Sequence, residues 1–388
     1  MASRGRLSEA VIRAIDEAAG LPEAVPESLC HAVSALSERF TRARGALADA
    51  YLEDPFLRAA YLAYYLPVNL AKVQALLDEM PAPVPSSLRV LDVGSGPGTV
   101  ALAVLDWLRR RADRRDQCLE VVSLDRSASA LREAERLWRT YAGSHAAGPA
   151  RLVTMQVDAA RSELKRRLAD GGPYHLIVVA NMLNELFQTD RDPIKRRAAL
   201  LTMLLDRLDP NGTLMVIEPA LRETSRALHQ VRDRLVAGGT CTVYSPCLHD
   251  RPCPALIKED DWCHEERGWE PPPAVAAIDR KVGFIKDALK FSYLLVRKDG
   301  ATIVPRTPDV SRVVSELRKM KGEQRAWLCD GTGRSEVGRL DRERSAANAA
   351  MDDWHRGAIV RISDIVRPSR GGLVRIPAST STEIIRPV

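Results

Sequence analysis

Aromatic residues are scarce, 5% of the 388 positions, yet hydrophobic residues reach 45% and charged residues 28%. That balance excludes a disordered or fibrous chain and describes a soluble globular one. No run of apolar residues approaches the 18 needed to cross a bilayer, so no spanning helix is expected. The opening MASRGRLSEAVIRAIDE turns polar and acidic too early for a secretory signal and is weak as a transit peptide. A bacterial-type cytoplasm is therefore expected, with the mitochondrial matrix as the alternative. Neither charge sign dominates: 57 Lys and Arg against 51 Asp and Glu give a net charge of +6, a modest excess that suits polyanions such as RNA without requiring one. No internal repeat and no long low-complexity tract interrupts the chain.

At this length two or three domains are expected. Apolar residues recur at helical spacing through Leu7 to Ala18, Leu29 to Phe40 and Tyr61 to Leu77, with Pro67 set to kink or divide the third stretch. The linker PAPVPSS (81–87) then separates an N-terminal helical domain, 1–84, from a different pattern. From Leu88 short apolar strands alternate with helices, the sequence form of a parallel α/β sheet covered on both faces. Strands are expected at 89–93, 120–124, 151–156, 176–180, 213–217, 240–244 and 290–296, with helices near 99–112, 127–142, 160–169, 192–208 and 222–236. This Rossmann-like domain occupies 85–244 and 289–299. Residues 245–288, rich in Pro and Cys, read as an irregular insertion. Residues 300–388 read as a small, basic antiparallel β module, with ten arginines against seven acidic residues after 330.

The run Val90-Leu-Asp-Val-Gly-Ser-Gly-Pro-Gly-Thr99 places Gly94, Gly96 and Gly98 between a strand and a helix, where glycine permits a tight turn and close approach of a ligand to the main chain. Its D-x-G-x-G-x-G spacing differs from the dinucleotide fingerprint and resembles motif I of class I S-adenosylmethionine-dependent methyltransferases. That resemblance implies a loop packed on the methionine part of S-adenosylmethionine, with Asp92 orienting its amino group. Asp125, ending the second strand, is suited to the ribose hydroxyls. Asp158, after the third, is implied for the adenine amino group. Asn181 ends the fourth strand at the lip of the same crevice and is counted with the cofactor-binding residues, and Asn181 and Asn184 are the candidate catalytic residues. The Asn/Asp-Pro-Pro-Tyr/Phe motif of many amino-group methyltransferases is missing there, as is a cysteine to attack a pyrimidine ring.

Four of the seven cysteines crowd into residues 241–263. Cys247, Cys253 and Cys263 stand in C-x5-C-x9-C order, with prolines stiffening the loop; the spacing is too loose for a zinc ribbon, fits no standard ferredoxin pattern, and leaves the metal open. Cys241 and Cys329 are both available as a fourth ligand. His249 and His264 keep a Cys3His zinc site open. Cys30 and Cys118 read as buried structural thiols.

The segments Ser245-Pro-Cys-Leu-His-Asp-Arg-Pro-Cys-Pro254, Asp261-Trp-Cys-His264 and Lys290-Phe-Ser-Tyr-Leu294 resemble the hallmark blocks of the ribosomal small-subunit methyltransferase-like family, a group of mitochondrial assembly factors and bacterial relatives. Asn184-Glu-Leu186, Glu218-Pro219 and the helix from Ser225 to Arg232 extend the resemblance. It implies a [4Fe-4S] cluster held by Cys247, Cys253, Cys263 and Cys329, with zinc as the alternative, and small-subunit rRNA as partner. The family's Trp-Gly-Asp is replaced here by Trp354-His-Arg-Gly357. The implied activity is methyl transfer on, or assembly of, the small ribosomal subunit; a non-catalytic rRNA-binding factor and a methyltransferase acting on a small molecule or a protein are the alternatives. Basic runs at Arg109, Arg110, Arg111, Arg114 and Arg115, at Lys165–Arg167 and at Lys195–Arg197 read first as solvated helix faces, and second as phosphate contacts. Tyr61, Tyr64 and Tyr65 read as a helix packed on the sheet or, alternatively, as a cover for the crevice.

Overall fold

The computed structural model describes residues 5–22, 24–41, 51–81, 85–114, 116–143, 148–169, 171–285, 287–363 and 372–387. Part of the linker (82–84) and Arg115 lie outside them. The chain forms two compact units, a larger one of Arg4–Glu218 with Arg267–Leu289 and a smaller one containing Pro219–Glu266 and Lys290–Val388.

The larger unit begins with helices α1 (Glu9–Ala19), α2 (Glu27–Thr41) and α3 (Pro55–Ala60). Ser8 caps α1 by accepting the Val11 N–H at 3.1 Å, and Asp54 caps α3 through the N–H groups of Phe56 and Leu57. The short α3, with Pro55 in its first turn, went unnoticed in the periodicity because it is only six residues long. Of the two outcomes expected at Pro67, a kink or a division, the stretch shows a division: a π turn at Tyr61–Tyr65 is followed by α4 (Leu66–Leu77). Leu66 N–H bonds to Tyr61 O, five residues back. Pro67 comes next and has no N–H to donate, so the widened turn absorbs the disruption that would otherwise kink the helix.

Alternation then follows as expected: β1 (Ser87–Val93), α5 (Thr99–Arg109), β2 (Cys118–Asp125), α6 (Ala128–Gly143), β3 (Ala150–Gln156), α7 (Glu163–Arg167), β4 (Tyr174–Ala180), α8 (Pro193–Leu205) and β5 (Leu208–Pro219). These strands are parallel, in the order β3-β2-β1-β4-β5. Val90, Leu91, Ile177, Val178, Val179 and Val216 are fully buried, which explains the unbroken apolar runs. Strand order reverses between β1 and β4, so the two chains leave their carboxyl ends in opposite directions and open a crevice there. Helices are tied together beneath the sheet by Asp106, buried on α5, which accepts from Gln74 Nε2 and Tyr141 OH at 2.7 Å and from Ser8 Oγ; Arg110 Nε at 3.4 Å offsets its charge.

The smaller unit opens with α9 (Arg222–Ala237) and β6 (Thr242–Ser245). The region expected to be irregular contains β7 (Glu265–Gly268) and α10 (Pro273–Val282), the latter within the larger unit, where Tyr64 OH donates to Asp279 Oδ1 at 2.5 Å. Its apolar residues Val275 and Ile278 are buried at helical spacing, a signal masked by the three prolines before them. β8 (Ala288–Arg297) pairs antiparallel with β6. The remaining strands are β9 (Val310–Val313), β10 (Arg318–Met320), β11 (Glu323–Asp330), β12 (Gly333–Leu340), β13 (Ile359–Ile362), β14 (Val374–Arg375) and β15 (Thr382–Arg386). They form a second sheet, β14-β12-β11-β9-β13-β15 with β10 on β11, antiparallel except for β12 with β14. Val313, Ala326, Leu328, Val337, Trp354 and Val360 make its core.

One thiol expectation is corrected. Cys30 is buried in α2, but Cys118 is exposed, because it is the first residue of β2, at the amino end of the strand.

Gly98 holds φ at +87°, and a Cβ there would stand 2.9 Å from that of Ala134. Gly98→Ala combines left-handed strain with overpacking and lowers the unfolding free energy by about 2–4 kcal/mol. Gly96→Ala at φ +53°, with open space around it, loses only about 1–2 kcal/mol. Urea unfolding of the two variants checks the difference.

Candidate functional site

At the carboxyl end of β1 the chain turns through three left-handed glycines, Gly94, Gly96 and Gly98. Gly94 is packed so closely that a Cβ would lie 2.5 Å from Met182 Cγ, whereas a Cβ at Gly96 would meet nothing within 4 Å. The loop is held from β2: Asp125 Oδ2 accepts the Gly96 N–H at 2.8 Å, and Asp125 Oδ1 accepts the Ser127 N–H at 2.8 Å. A carboxylate has further lone pairs, so Asp125 both shapes the loop and keeps acceptor capacity. Burial raises its pKa, with the two backbone N–H groups acting against that.

Asp92 is 1% exposed, and neither carboxyl oxygen has a hydrogen-bond partner. Burial, then the charge of Asp125, pushes its carboxyl well above the usual range. Asn181, directly after β4, takes a left-handed φ of +56°, and its Oδ1 is buried without a partner. Strained backbone and orphaned buried polar atoms at a strand switch point fit a polar ligand in this crevice. Asp158 lies at the end of β3 with its oxygens turned to its own segment: Oδ1 accepts the Ala160 N–H at 2.8 Å, and Oδ2 lies 3.3 Å from Arg161 Nε.

Asn184 sits in a short 3-10 turn, its backbone gripped from both sides. Its N–H donates to Glu218 Oε1 at 3.3 Å, and its carbonyl accepts from Arg197 Nη2 at 2.9 Å. Arg197, expected in a basic surface run, is buried and also bonds Leu186 O; Arg109 likewise bonds Tyr141 O and Ala142 O. Both are structural. Arg166 remains exposed. Glu218, at the end of β5, is 1% exposed, and burial raises its pKa to about 7, with the Asn184 hydrogen bonds acting against it.

Tyr61 belongs to this cleft as well. Burial raises its pKa to about 12; hydrogen bonds to Asn69 and Thr99 oppose the rise, while Glu185 and Asp125 add to it. Tyr51, 6.0 Å from Tyr61 ring to ring, feels the same two carboxylates. Glu53 accepts from Ser127 and Ser129 beside the Asp125 loop. Tyr61 thus stands at the crevice, as the second reading of this helix had it. Tyr51 and Glu53 carried no sequence signal.

In the smaller unit, Cys247, Cys253, Cys263 and Cys329 line one cavity of about 50 Å³. Cys241, buried just before β6, is not among its lining residues. Helix α9 presents Arg226, His229, Arg232 and Asp233 along one side, and these clamp the cysteine loop. Arg226 Nη1 donates to the carbonyls of Ala255, Lys258 and Asp261; Cys263 N–H lies 3.2 Å from His229 Nε2; Cys253 N–H donates to Asp233 Oδ2 at 2.9 Å. Arg232 bonds the carbonyls of His249 and Arg251. Cys329 arrives on β11, directly opposite Arg334 on β12. His249 Nε2 lies 3.9 Å from Cys329 Sγ, while His264 turns to Glu266. Arg356 and Gly357, from the block that departs from Trp-Gly-Asp, also line the cavity.

Burial pushes the Cys263 thiol up to about 11, Arg334 opposing and Cys247 adding. The Cys329 and Cys253 thiols are raised further by burial and then by their fellow cysteines. Among the described residues no group of three or more His, Cys, Asp or Glu is arranged to hold a single metal ion. The four thiols line a common space and would repel one another when ionised, and thiols are donors suited to a soft metal centre.

The larger unit is therefore a Rossmann-like α/β protein with an open crevice at its switch point. Residues 56–343 match the family described as mitochondrial small ribosomal subunit Rsm22, and the chain belongs to that family. The comparison with curated proteins finds no match. Among solved structures the chain is similar to a fibrillarin/Nop5p complex (12% identity, 60% of this chain and 82% of that one, TM-score 0.34). It is also similar to magnesium protoporphyrin IX methyltransferase ChlM from Synechocystis PCC 6803 with bound SAM (11%, 68% and 96%, TM-score 0.33). A third is the plantazolicin methyltransferase BpumL in complex with SAH (11%, 69% and 99%, TM-score 0.37).

Glu218 gives the site a pH signature. Its folded pKa of about 7 exceeds the ordinary 4.5, so between those values the folded state binds the extra proton and stability falls as pH rises. The loss is on the order of 3 kcal/mol across that window. Glu218→Gln is expected to flatten this slope, measured as unfolding free energy at a series of pH values.

Proposed function

We propose that the chain is an S-adenosylmethionine-dependent methyltransferase acting on the RNA of the small ribosomal subunit. The carrying observation is the crevice at the β1–β4 switch point, where an open left-handed glycine turn meets the orphaned carboxyl of Asp92 and the orphaned amide oxygen of Asn181. Gly94, Gly96 and Gly98 would let the cofactor approach the main chain, Asp92 would receive its amino group, and Asp125 its ribose. Asp158, whose oxygens each have one partner in its own segment, would use a remaining lone pair for the adenine amino group. When bound, S-adenosylmethionine supplies an electrophilic methyl group on a sulfonium. Asn181 then has a free acceptor for an N–H of the methyl acceptor, and Asn184, gripped by Glu218 and Arg197, fixes the segment that carries it. What these residues contribute is alignment of nucleophile and methyl group, with water kept out by Tyr51 and Tyr61.

Membership of a mitochondrial small ribosomal subunit family supports the ribosomal assignment and favours the mitochondrial matrix over a bacterial-type cytoplasm. One observation favours a second reading, a non-catalytic rRNA-binding assembly factor: the end of β4 reads Asn181-Met-Leu-Asn184, without the Pro-Pro-aromatic clamp of amino-group methyltransferases. Asp125→Ala is expected to weaken S-adenosylmethionine binding at least tenfold in calorimetry and to leave unmethylated any rRNA position that depends on the wild-type chain. Unchanged affinity removes the cofactor assignment; weakened affinity with no rRNA methyl lost supports the non-catalytic reading.

The cysteine cavity is proposed to hold a [4Fe-4S] cluster on Cys247, Cys253, Cys263 and Cys329. The cluster would stitch the cysteine loop to β11 and turn metal affinity into folding energy. Anaerobically purified protein is expected to be brown, with about four irons per chain. Cys329→Ser should abolish the colour, and Cys241→Ser should leave it. Colourless protein carrying one zinc per chain would replace the cluster by the alternative metal.

A further inference from the structure

Four arginines line the cysteine cavity: Arg232, Arg312, Arg334 and Arg356. Arg312 Nη2 donates to Glu265 Oε2 at 2.7 Å. Arg356 Nε makes no hydrogen bond but stands 3.3 Å from Glu266 Oε1 and 3.6 Å from Glu316 Oε1, so carboxylates already face it. The other two have an Nε left over. Arg232, 2% exposed, spends its Nη groups on Asp233 Oδ1 and on the carbonyls of His249 and Arg251, yet its Nε is buried without a partner. Arg334 spends Nη1 on Asp261, and its Nε is likewise buried and unpaired. A buried N–H is almost always satisfied, so orphaned donors on one cavity that no carboxylate faces call for a ligand.

The electrostatics divide the four thiols between these two groups. Burial acts to lower the Arg232 pKa, but Cys247, Asp233 and Cys253 raise it. For Arg334 burial is again opposed, here by Cys263, Asp261 and Cys329. The geometry agrees: Arg232 binds the His249 and Arg251 carbonyls in the loop between Cys247 and Cys253, and Arg334 is paired with Cys329 across β11 and β12.

We propose that the Nε–H groups of Arg232 and Arg334 are positioning donors to the sulfur atoms of the metal centre, one on the Cys247/Cys253 side and one on the Cys263/Cys329 side. The proposal rests on the cluster reading. A cluster carried on four thiolates gains negative charge when it accepts an electron, and N–H···S bonds stabilise that charge, so the two arginines raise its reduction potential.

The test uses the full chain, purified anaerobically, with iron counted before a stepwise one-electron reduction by dithionite followed by electron paramagnetic resonance. Arg334→Gln is expected to keep its iron and to show a lower midpoint potential; Arg334→Lys, which keeps the charge and loses the directed Nε–H, is expected to fall between it and wild type. Arg232→Lys gives a second reading from the other side, chosen because Arg232→Gln would also release the carbonyls of the cysteine loop. Should Arg334→Gln come without iron, the two lysine variants carry the comparison. Iron-replete variants whose potential matches wild type overturn the arginine assignment and leave the cluster standing. Wild-type protein without iron overturns the cluster reading and this inference with it.

Discussion

Holding several buried thiols around one small cavity is the demand that shapes the smaller unit. Thiols that repel one another once ionised do not gather unaided, and the loop bearing three of them has few apolar residues to bury. Helix α9 answers with polar groups, since Arg226, His229, Arg232 and Asp233 bind main-chain atoms of the loop. Such bonds orient a backbone strictly but leave the side chains free to face inward. The fourth thiol depends on a separate construction, the β11–β12 hairpin, whose apolar face packs on Trp354 and Val360 while its other face delivers Cys329 and Arg334.

The larger unit meets a different constraint. Its strands are buried on both faces, so polar chemistry is confined to the ends, and the reversal of strand order between β1 and β4 selects which end is open. Asp92, Asn181 and Glu218 all occupy carboxyl ends of strands. Each carries a cost there, as a raised pKa, a left-handed backbone or an unpaired oxygen. The N-terminal helices contribute to the same region, since the π turn forced by Pro67 sets Tyr61 beside Thr99.

Much of this was legible beforehand where local rules dominate. Glycine spacing announced the turn, and apolar runs announced the five parallel strands. Legibility failed where the deciding contact was distant. Arg197 reads as part of a basic surface run, yet it is buried against the carbonyls of Asn184 and Leu186. Helix α10 was hidden behind the prolines that begin it. Cys118 reads as a core thiol, but the position of the strand end exposes it.

By itself, the sequence determined the order of strands and helices, the glycine turn and the set of cysteines, because periodicity, φ preference and thiol chemistry act over a few residues. Only the tertiary structure decided that Arg197 is buried against the carbonyls of Asn184 and Leu186, that Tyr51 joins Tyr61 at the crevice, and that Arg232 and Arg334 bury their Nε beside the cysteines. Those outcomes depend on which segments far apart in the chain are brought side by side, and no local preference of a residue specifies its distant neighbour.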